Sequence, residues 1–149
     1  MRKTGTRLLA VLLAVVMVLP SVLIPGMAAE ATGFTDVPEG SWYGDAVNYV
    51  SEKGYMAGVG DNRFAPNDEV TRAMFVTILA RITMAETDGT ASAFTDVPAN
   101  KWYTGAVSWA AENGIVNGFP DGTFRPNSNA TREQMAAIIA RFDRMDENR

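Results

Sequence analysis

Neither cysteine nor histidine occurs anywhere in the 149 residues. Without cysteine there is no disulfide framework, no thiolate metal site and no lipid-modified thiol. Without histidine there is no imidazole general base, no histidine-dependent nucleophile triad and none of the common zinc sites. An excess of positive charge is missing too: 13 Lys plus Arg face 17 Asp plus Glu, a net charge of −4. That balance carries no basic footprint for nucleic acid. Asp121, Asn127 and Asn129 offer oxygen ligands, but not at EF-hand spacing and not ending in a bidentate Glu. No metal and no cofactor is expected.

What is present starts with a leader. Arg2, Lys3 and Arg7 precede an apolar run, Leu8 to Leu19, which Pro20 and Ser21 interrupt. Pro25-Gly26-Met27-Ala28-Ala29 then supplies small residues. Basic, apolar and small-residue regions in that order predict a cleaved signal peptide over 1–28 rather than a membrane anchor. Its removal takes away three positive charges and no negative one, and the balance moves from −4 to −7. The remaining 120 or so residues are enough for one compact unit with a modest core. A secreted unit without disulfides has to rely on packing and on partners.

The remainder is a duplication. Shifted by sixty positions, Phe34–Arg81 aligns with Phe94–Arg141 without a gap, and 21 of the 48 pairs are identical. Phe-Thr-Asp-Val-Pro stands at 34–38 and 94–98, Trp-Tyr at 42–43 and 102–103, and Thr-Arg at 71–72 and 131–132. Repeats of this length signal a modular architecture. The expected boundaries are 34–83 and 94–142 for the repeats, 84–93 for a linker and 143–149 for a C-terminal tail.

Each repeat contains two helical patterns. Trp42, Ala46, Val47 and Val50 recur at spacings of three and four, and Gly54 follows where a left-handed C-terminal residue belongs. Their counterparts run from Trp102 to Gly114. The second helices show Phe75, Ile78, Leu79 and Ile82, and Met135, Ile138, Ile139 and Phe142. Thr71 and Thr131 stand at N-cap positions. Gln134 completes a capping box that Met74 cannot complete in the first copy. Between the helices, Phe119-Pro120-Asp121-Gly122 reads as a tight turn, and Phe64 and Phe124 as plugs into the core.

This pattern resembles the S-layer homology (SLH) module of bacterial cell-surface proteins. The resemblance rests on the Phe-x-Asp-Val start, the Trp-Tyr pair and Gly-Ile-Val-x-Gly-Phe-Pro-Asp-Gly-Thr-Phe-x-Pro at 114–126. Thr-Arg-Glu-Gln-Met-Ala at 131–136 completes it. It implies an all-α fold of tandem helix-loop-helix repeats, here two, packed as an incomplete pseudo-threefold helical bundle with binding grooves between repeats. It also implies non-covalent anchoring to secondary cell wall polysaccharide linked to peptidoglycan, often with pyruvylated sugars, and a place in the cell wall or S-layer. The family often carries Thr-Arg-Ala-Glu at the second helix; Met74 and Gln134 stand where that carboxylate would be.

Within this frame the expected ligand-binding residues are Arg72 and Arg132 with Thr71 and Thr131 at the helix starts, and Trp42, Tyr43, Trp102 and Tyr103. Gly118 and Asp121 of the turn complete the set. A helix N-terminus with an arginine fork suits a carboxylate, such as a pyruvyl ketal. The competing use is internal pairing of each arginine with Asp36, Asp96 or a loop carbonyl. The tryptophans suit sugar stacking or, on the apolar stripe, core packing, whereas Tyr43 and Tyr103 are expected to be partly exposed. Arg81 and Arg141, nine residues beyond Arg72 and Arg132, are expected to face away from the site. Paired Asp36 and Asp96 are read as turn and cap residues rather than glycosidase carboxylates, so no enzyme is expected. The alternative role is structural: completing a bundle with another repeat-bearing chain or by self-association.

Overall fold

The computed structural model describes residues 33–87 and 92–147. The expected signal peptide lies outside the described residues. The described chain forms four helices: α1 (Gly44–Glu52), α2 (Arg72–Ile82), α3 (Thr104–Glu112) and α4 (Arg132–Glu147). Among the described residues no strand forms; two isolated bridges, Gly60 with Arg63 and Thr71 with Asn129, are the only extended pairings. The fold is all-α, two helix-loop-helix units in tandem.

Local chemistry sets the helix ends. Gly54 at φ 70° and Gly114 at φ 67° terminate α1 and α3 in the left-handed conformation. Tyr55 N–H donates to Val50 O (2.9 Å) and Gly54 N–H to Ser51 O (2.9 Å). Ile115 and Gly114 repeat both bonds onto Ala110 O (2.8 Å) and Ala111 O (3.0 Å). This is the Schellman arrangement, in which a residue without a Cβ takes the turn at no steric cost. At the start of α4, Gln134 N–H donates to Thr131 Oγ1 and Thr131 N–H to Gln134 Oε1, both at 3.3 Å. α2 has only the first half of that box, Met74 N–H to Thr71 Oγ1 at 3.3 Å. Both follow from the side chains available.

One expectation about the helices is corrected. α1 and α3 begin at Gly44 and Thr104, after the Trp-Tyr pairs, so Trp42 and Trp102 stand outside the helical stripe. α4 runs to Glu147, and its Phe142 and Met145 pack against the core.

The core is lopsided. α2 packs on α3 and buries Ala73, Val76, Leu79 and Ala80 against Val107, Trp109, Ala110, Ile115 and Phe124. This face is turned from the predicted stripe, and Ile82 stays exposed. The reason is that α2 packs on α3, and its buried neighbours come from the second repeat. From α1 only Gly44 and Val47 are buried.

Each repeat closes on its opening aspartate. Asp36 accepts from the N–H groups of Phe64 and Ala65, both at 2.8 Å. Asp96 accepts from those of Phe124 and Arg125, both at 2.7 Å. Ala65 (φ 56°) and Arg125 (φ 60°) are left-handed, which turns successive N–H groups toward one carboxylate. The repeats join edge to edge. Arg72 N–H donates to Ser128 O (2.9 Å), Ala73 N–H to Pro126 O (3.0 Å) and Ala130 N–H to Val70 O (3.0 Å). The first N–H groups of α2, which have no partner within the helix, are therefore satisfied by the loop of the second repeat.

Asp96→Ala leaves two loop N–H groups unbonded, one of them on the fully buried Phe124. The expected cost is about 1–3 kcal/mol, read as a lower urea midpoint at neutral pH. Asp36→Ala, whose partner Phe64 is only half-buried, is expected to lower the midpoint less.

Candidate functional site: a cleft at the repeat junction

Arg72 sits in the first turn of α2, yet the second repeat surrounds its side chain. It is 5% exposed. Its Nε donates to Phe124 O at 2.8 Å. The guanidinium carbon lies 4.9 Å from the Phe119 ring centre and 4.7 Å from that of Phe124. Among the described residues no carboxylate lies within ion-pair distance of it. Burial, and after it the charge of Arg125, push the guanidinium down from its ordinary value, with Asp96 pulling the other way. An arginine stays protonated under such a shift, so the site holds a desolvated cation with free N–H capacity.

Beside it lies an open cleft of about 400 Å³. Its walls are Arg72 from the first repeat, Val116 to Phe119 from the loop of the second, and one face of α4. That face presents Glu133, Gln134, Ala137, Ile138 and Arg141, at spacings of three and four. Two arginines and one glutamate are among the lining residues of the cleft, a positive balance in an acidic protein. The first turn of α4 adds the partial positive charge of a helix N-terminus. Gly118 forms part of the wall at φ 68°, where an added Cβ would overlap the Phe94 ring. The loop can approach so closely only with glycine there.

The cleft joins some of the predicted residues and leaves others apart. Arg72 and Gly118 line it. Thr71 and Thr131 cap the helices whose first turns flank it. Arg132 is exposed at the start of α4 and is not part of the wall. Trp42 and Trp102 are exposed, at 93% and 60%, and also lie off the wall. Each meets its neighbouring tyrosine edge-on, with ring centres 5.4 Å apart for Tyr43 and 5.1 Å for Tyr103. The tryptophans thus face solvent rather than the core, Tyr43 is partly exposed as expected, and Tyr103 is buried against expectation. Asp121 is engaged inside its turn, accepting from Thr123 Oγ1 (2.6 Å) and pairing with Arg125 Nη2 (3.0 Å).

Arg141 lies about half a turn round α4 from Arg132, as the spacing predicts, and it is Arg141 that lines the cleft. The arginine that matters to it is Arg72, which arrives from the other repeat. Phe119 is a second addition, placed over Arg72 and, at 3.9 Å, over Arg125. The sequence signal was the sixty-residue period, which allows the Thr-Arg of one copy to complete the loop of the next. The internal alternative for Arg72 also holds in part, since one of its N–H groups is spent on a loop carbonyl.

The architecture is a tandem of helix-loop-helix repeats with a cleft at their junction. Two regions, 33–74 and 93–136, match the model of the S-layer homology domain, and the chain belongs to that family. It is 31% identical to the S-layer protein sap of Bacillus anthracis over 124 residues, 83% of this chain and 15% of that protein. It is 34% identical to an endoglucanase of Bacillus sp. (strain KSM-635) over 137 residues, 87% of this chain and 14% of that one. A cell surface protein of Thermoanaerobacter kivui shares 35% over 128 residues, 81% and 16% of the two chains. The chain therefore spans about a sixth or less of these relatives. SLH domains are non-catalytic, belong to secreted proteins of the cell wall and S-layer, and generally bind secondary cell wall polysaccharide.

The turn beside the cleft has a measurable acid response. Hydrogen bonds from Thr123 and Arg125 hold the Asp121 carboxyl down to about 2. A folded value below the unfolded one means that the stabilisation is complete above about pH 4 and is lost as pH falls toward 2. The melting temperature is expected to drop across that interval, and Asp121→Asn to flatten part of the drop in thermal melts from pH 5 to pH 2.

Proposed function

We propose that the protein anchors non-covalently to the bacterial cell wall by binding a carboxylated, pyruvylated secondary cell wall polysaccharide in the cleft at the repeat junction. The observation that carries this reading is Arg72, a buried guanidinium with no carboxylate within ion-pair distance among the described residues, beside an open cleft. A buried cation is costly unless paired, and a pyruvyl carboxylate would supply the missing charge in planar, bidentate form. Arg141 is the second anchor, and the start of α4, capped by Thr131, contributes its free N–H groups. Gln134 and Glu133 are placed to accept or donate hydrogen bonds with sugar hydroxyls. Trp42 and Trp102, exposed but off the wall of the cleft, are auxiliary stacking surfaces for further sugars of a long polymer.

In this reading the leader 1–28 is removed on secretion, the polymer is linked to peptidoglycan, and the two repeats occupy two places of a pseudo-threefold bundle. The cleft acts as a clamp on a repeating ligand. Each chain needs only one carboxylated sugar at Arg72 to be held, and the density of such sugars along the polymer raises the local concentration of sites.

The test is co-sedimentation with cell walls that retain their polymer and with walls stripped of it. The protein is expected to pellet with the intact walls and to stay in solution with the stripped ones. Arg141→Ala is expected to weaken binding roughly tenfold or more, the scale of one charge-assisted hydrogen bond. Arg81→Ala, the counterpart in the first repeat, is expected to have little effect. Undiminished binding by Arg141→Ala would remove the cleft from the account, and equal pelleting with stripped walls would remove the polymer.

A further inference from the structure

Asn-Gly occurs twice in this chain, at 113–114 and 117–118, and both asparagines are exposed. The dipeptide is chemically labile, because glycine offers its peptide nitrogen to the Asn amide carbon with no side chain in the way. The fold treats the two copies differently. Asn113 ends α3: its Nδ2 donates to Trp109 O at 2.8 Å, and the Gly114 N–H donates to Ala111 O at 3.0 Å. Both groups that would react are tied down there. Asn117 stands in the loop that walls the cleft. Among the described residues neither its side-chain amide nor the Gly118 N–H has a hydrogen-bond partner.

The fold also holds the glycine half of the pair in place. At φ 68° an added Cβ on Gly118 would overlap the Phe94 ring, so a larger residue there would displace the loop. Gly58, its counterpart in the first repeat, meets the same limit against the Phe34 ring, but Ala57 precedes it. The labile pair therefore arises in the second repeat alone, where asparagine stands before an obligatory glycine. It does so on the wall that Asn117 shares with Arg72 and Arg141.

We infer that Asn117 is a site of spontaneous deamidation, and that its conversion weakens the hold of the cleft on an anion. The Gly118 nitrogen attacks Asn117 Cγ and gives up its proton. The Cγ–Nδ2 bond breaks, ammonia leaves and a succinimide closes. Water then opens one of the two imide C–N bonds, with no oxidation or reduction. Opening at Cγ gives aspartate on the original main chain; opening at the main-chain carbonyl gives isoaspartate, with the main chain running through the former side chain. Either product places a carboxylate on the wall that holds Arg72 and Arg141. There it repels an incoming carboxylate and competes with it for the same guanidinium groups. This loss of binding rests on the proposed reading of the cleft as an anion site; the deamidation itself does not.

Peptide mass spectrometry on the purified protein, aged in mildly alkaline buffer, tests the inference with Asn113 as internal reference. In the folded protein Asn117 is expected to lose its amide roughly tenfold faster than Asn113, the cost of opening the two hydrogen bonds that protect the latter. In concentrated urea, where those bonds are gone, the two rates are expected to agree within about twofold. A ratio in the folded protein no larger than in urea would overturn the inference. Fresh and aged protein are then compared by co-sedimentation with intact walls. Ageing is expected to weaken binding about fivefold or more at low salt, the scale of one like-charge contact near the surface. Asn117→Asp is expected to reproduce that loss without ageing, and the loss to shrink as salt is added, which a merely distorted loop would not show. Asn117→Gln, whose longer side chain closes the ring poorly, is expected to keep its binding on ageing. Protein converted at Asn117 that pellets like fresh protein would overturn the effect on the cleft. Fresh protein that fails to pellet with intact walls would count against the wall-binding proposal, while the mass spectra still decide the deamidation.

Discussion

Two successive backbone N–H groups held by the Asp96 carboxylate are the constraint on which the site depends. The carboxylate stands at the start of the second repeat and reaches a loop 28 and 29 residues later. To offer both N–H groups to one acceptor, Arg125 adopts a left-handed conformation at φ 60°. This fixes Phe124, whose carbonyl receives Arg72 Nε and whose ring lies under the Arg72 guanidinium. The same loop sends Ser128 O and Pro126 O to the start of α2. One polar clamp thus positions the receiving surface for the other repeat.

That junction converts two similar sequences into two different environments. Arg72 and Arg132 stand at identical positions in their repeats, but the first is buried under the loop of the second repeat and the second is exposed. The difference lies in what each meets. Arg72 meets two aromatic rings, a carbonyl and the wall of a cleft, and no carboxylate within ion-pair distance among the described residues. A desolvated guanidinium of this kind is a selective element for planar anions, because it offers a fork and has already lost much of its competing water. Under the proposed function, the acidic balance of the chain would disfavour non-specific polyanions while the arginines of the cleft supply local attraction.

What the sequence makes legible is local. The Gly54 and Gly114 termini, the capping box of Thr131 with Gln134 and the half-box of Thr71 follow from short-range rules that the chain obeys in place. The repeat and its family are legible because identical residues recur at fixed positions. The faces of the helices were less so. Ile139 and Leu79 occupy the same repeat position and suit a core equally well, yet Leu79 is buried and Ile139 is exposed. Trp42 and Trp102 precede the helices that begin at Gly44 and Thr104, so helical spacing does not report their exposure. Arg141 shares a cleft with Arg72 of the other repeat, which the pattern of its own helix does not reveal. Each of these depends on contacts between repeats, which period and propensity do not encode.

Recognition by the cleft of a carboxylate carried on a sugar is tested most directly by isothermal titration with a short wall-polymer fragment. The fragment is prepared with its pyruvyl ketal intact and again after the ketal has been removed by mild acid. The account predicts saturable one-to-one binding of the pyruvylated fragment, weakened by added salt, and no measurable heat from the depyruvylated one. Equal affinity for the two fragments would contradict it, because the buried cation at Arg72 would then contribute nothing to recognition.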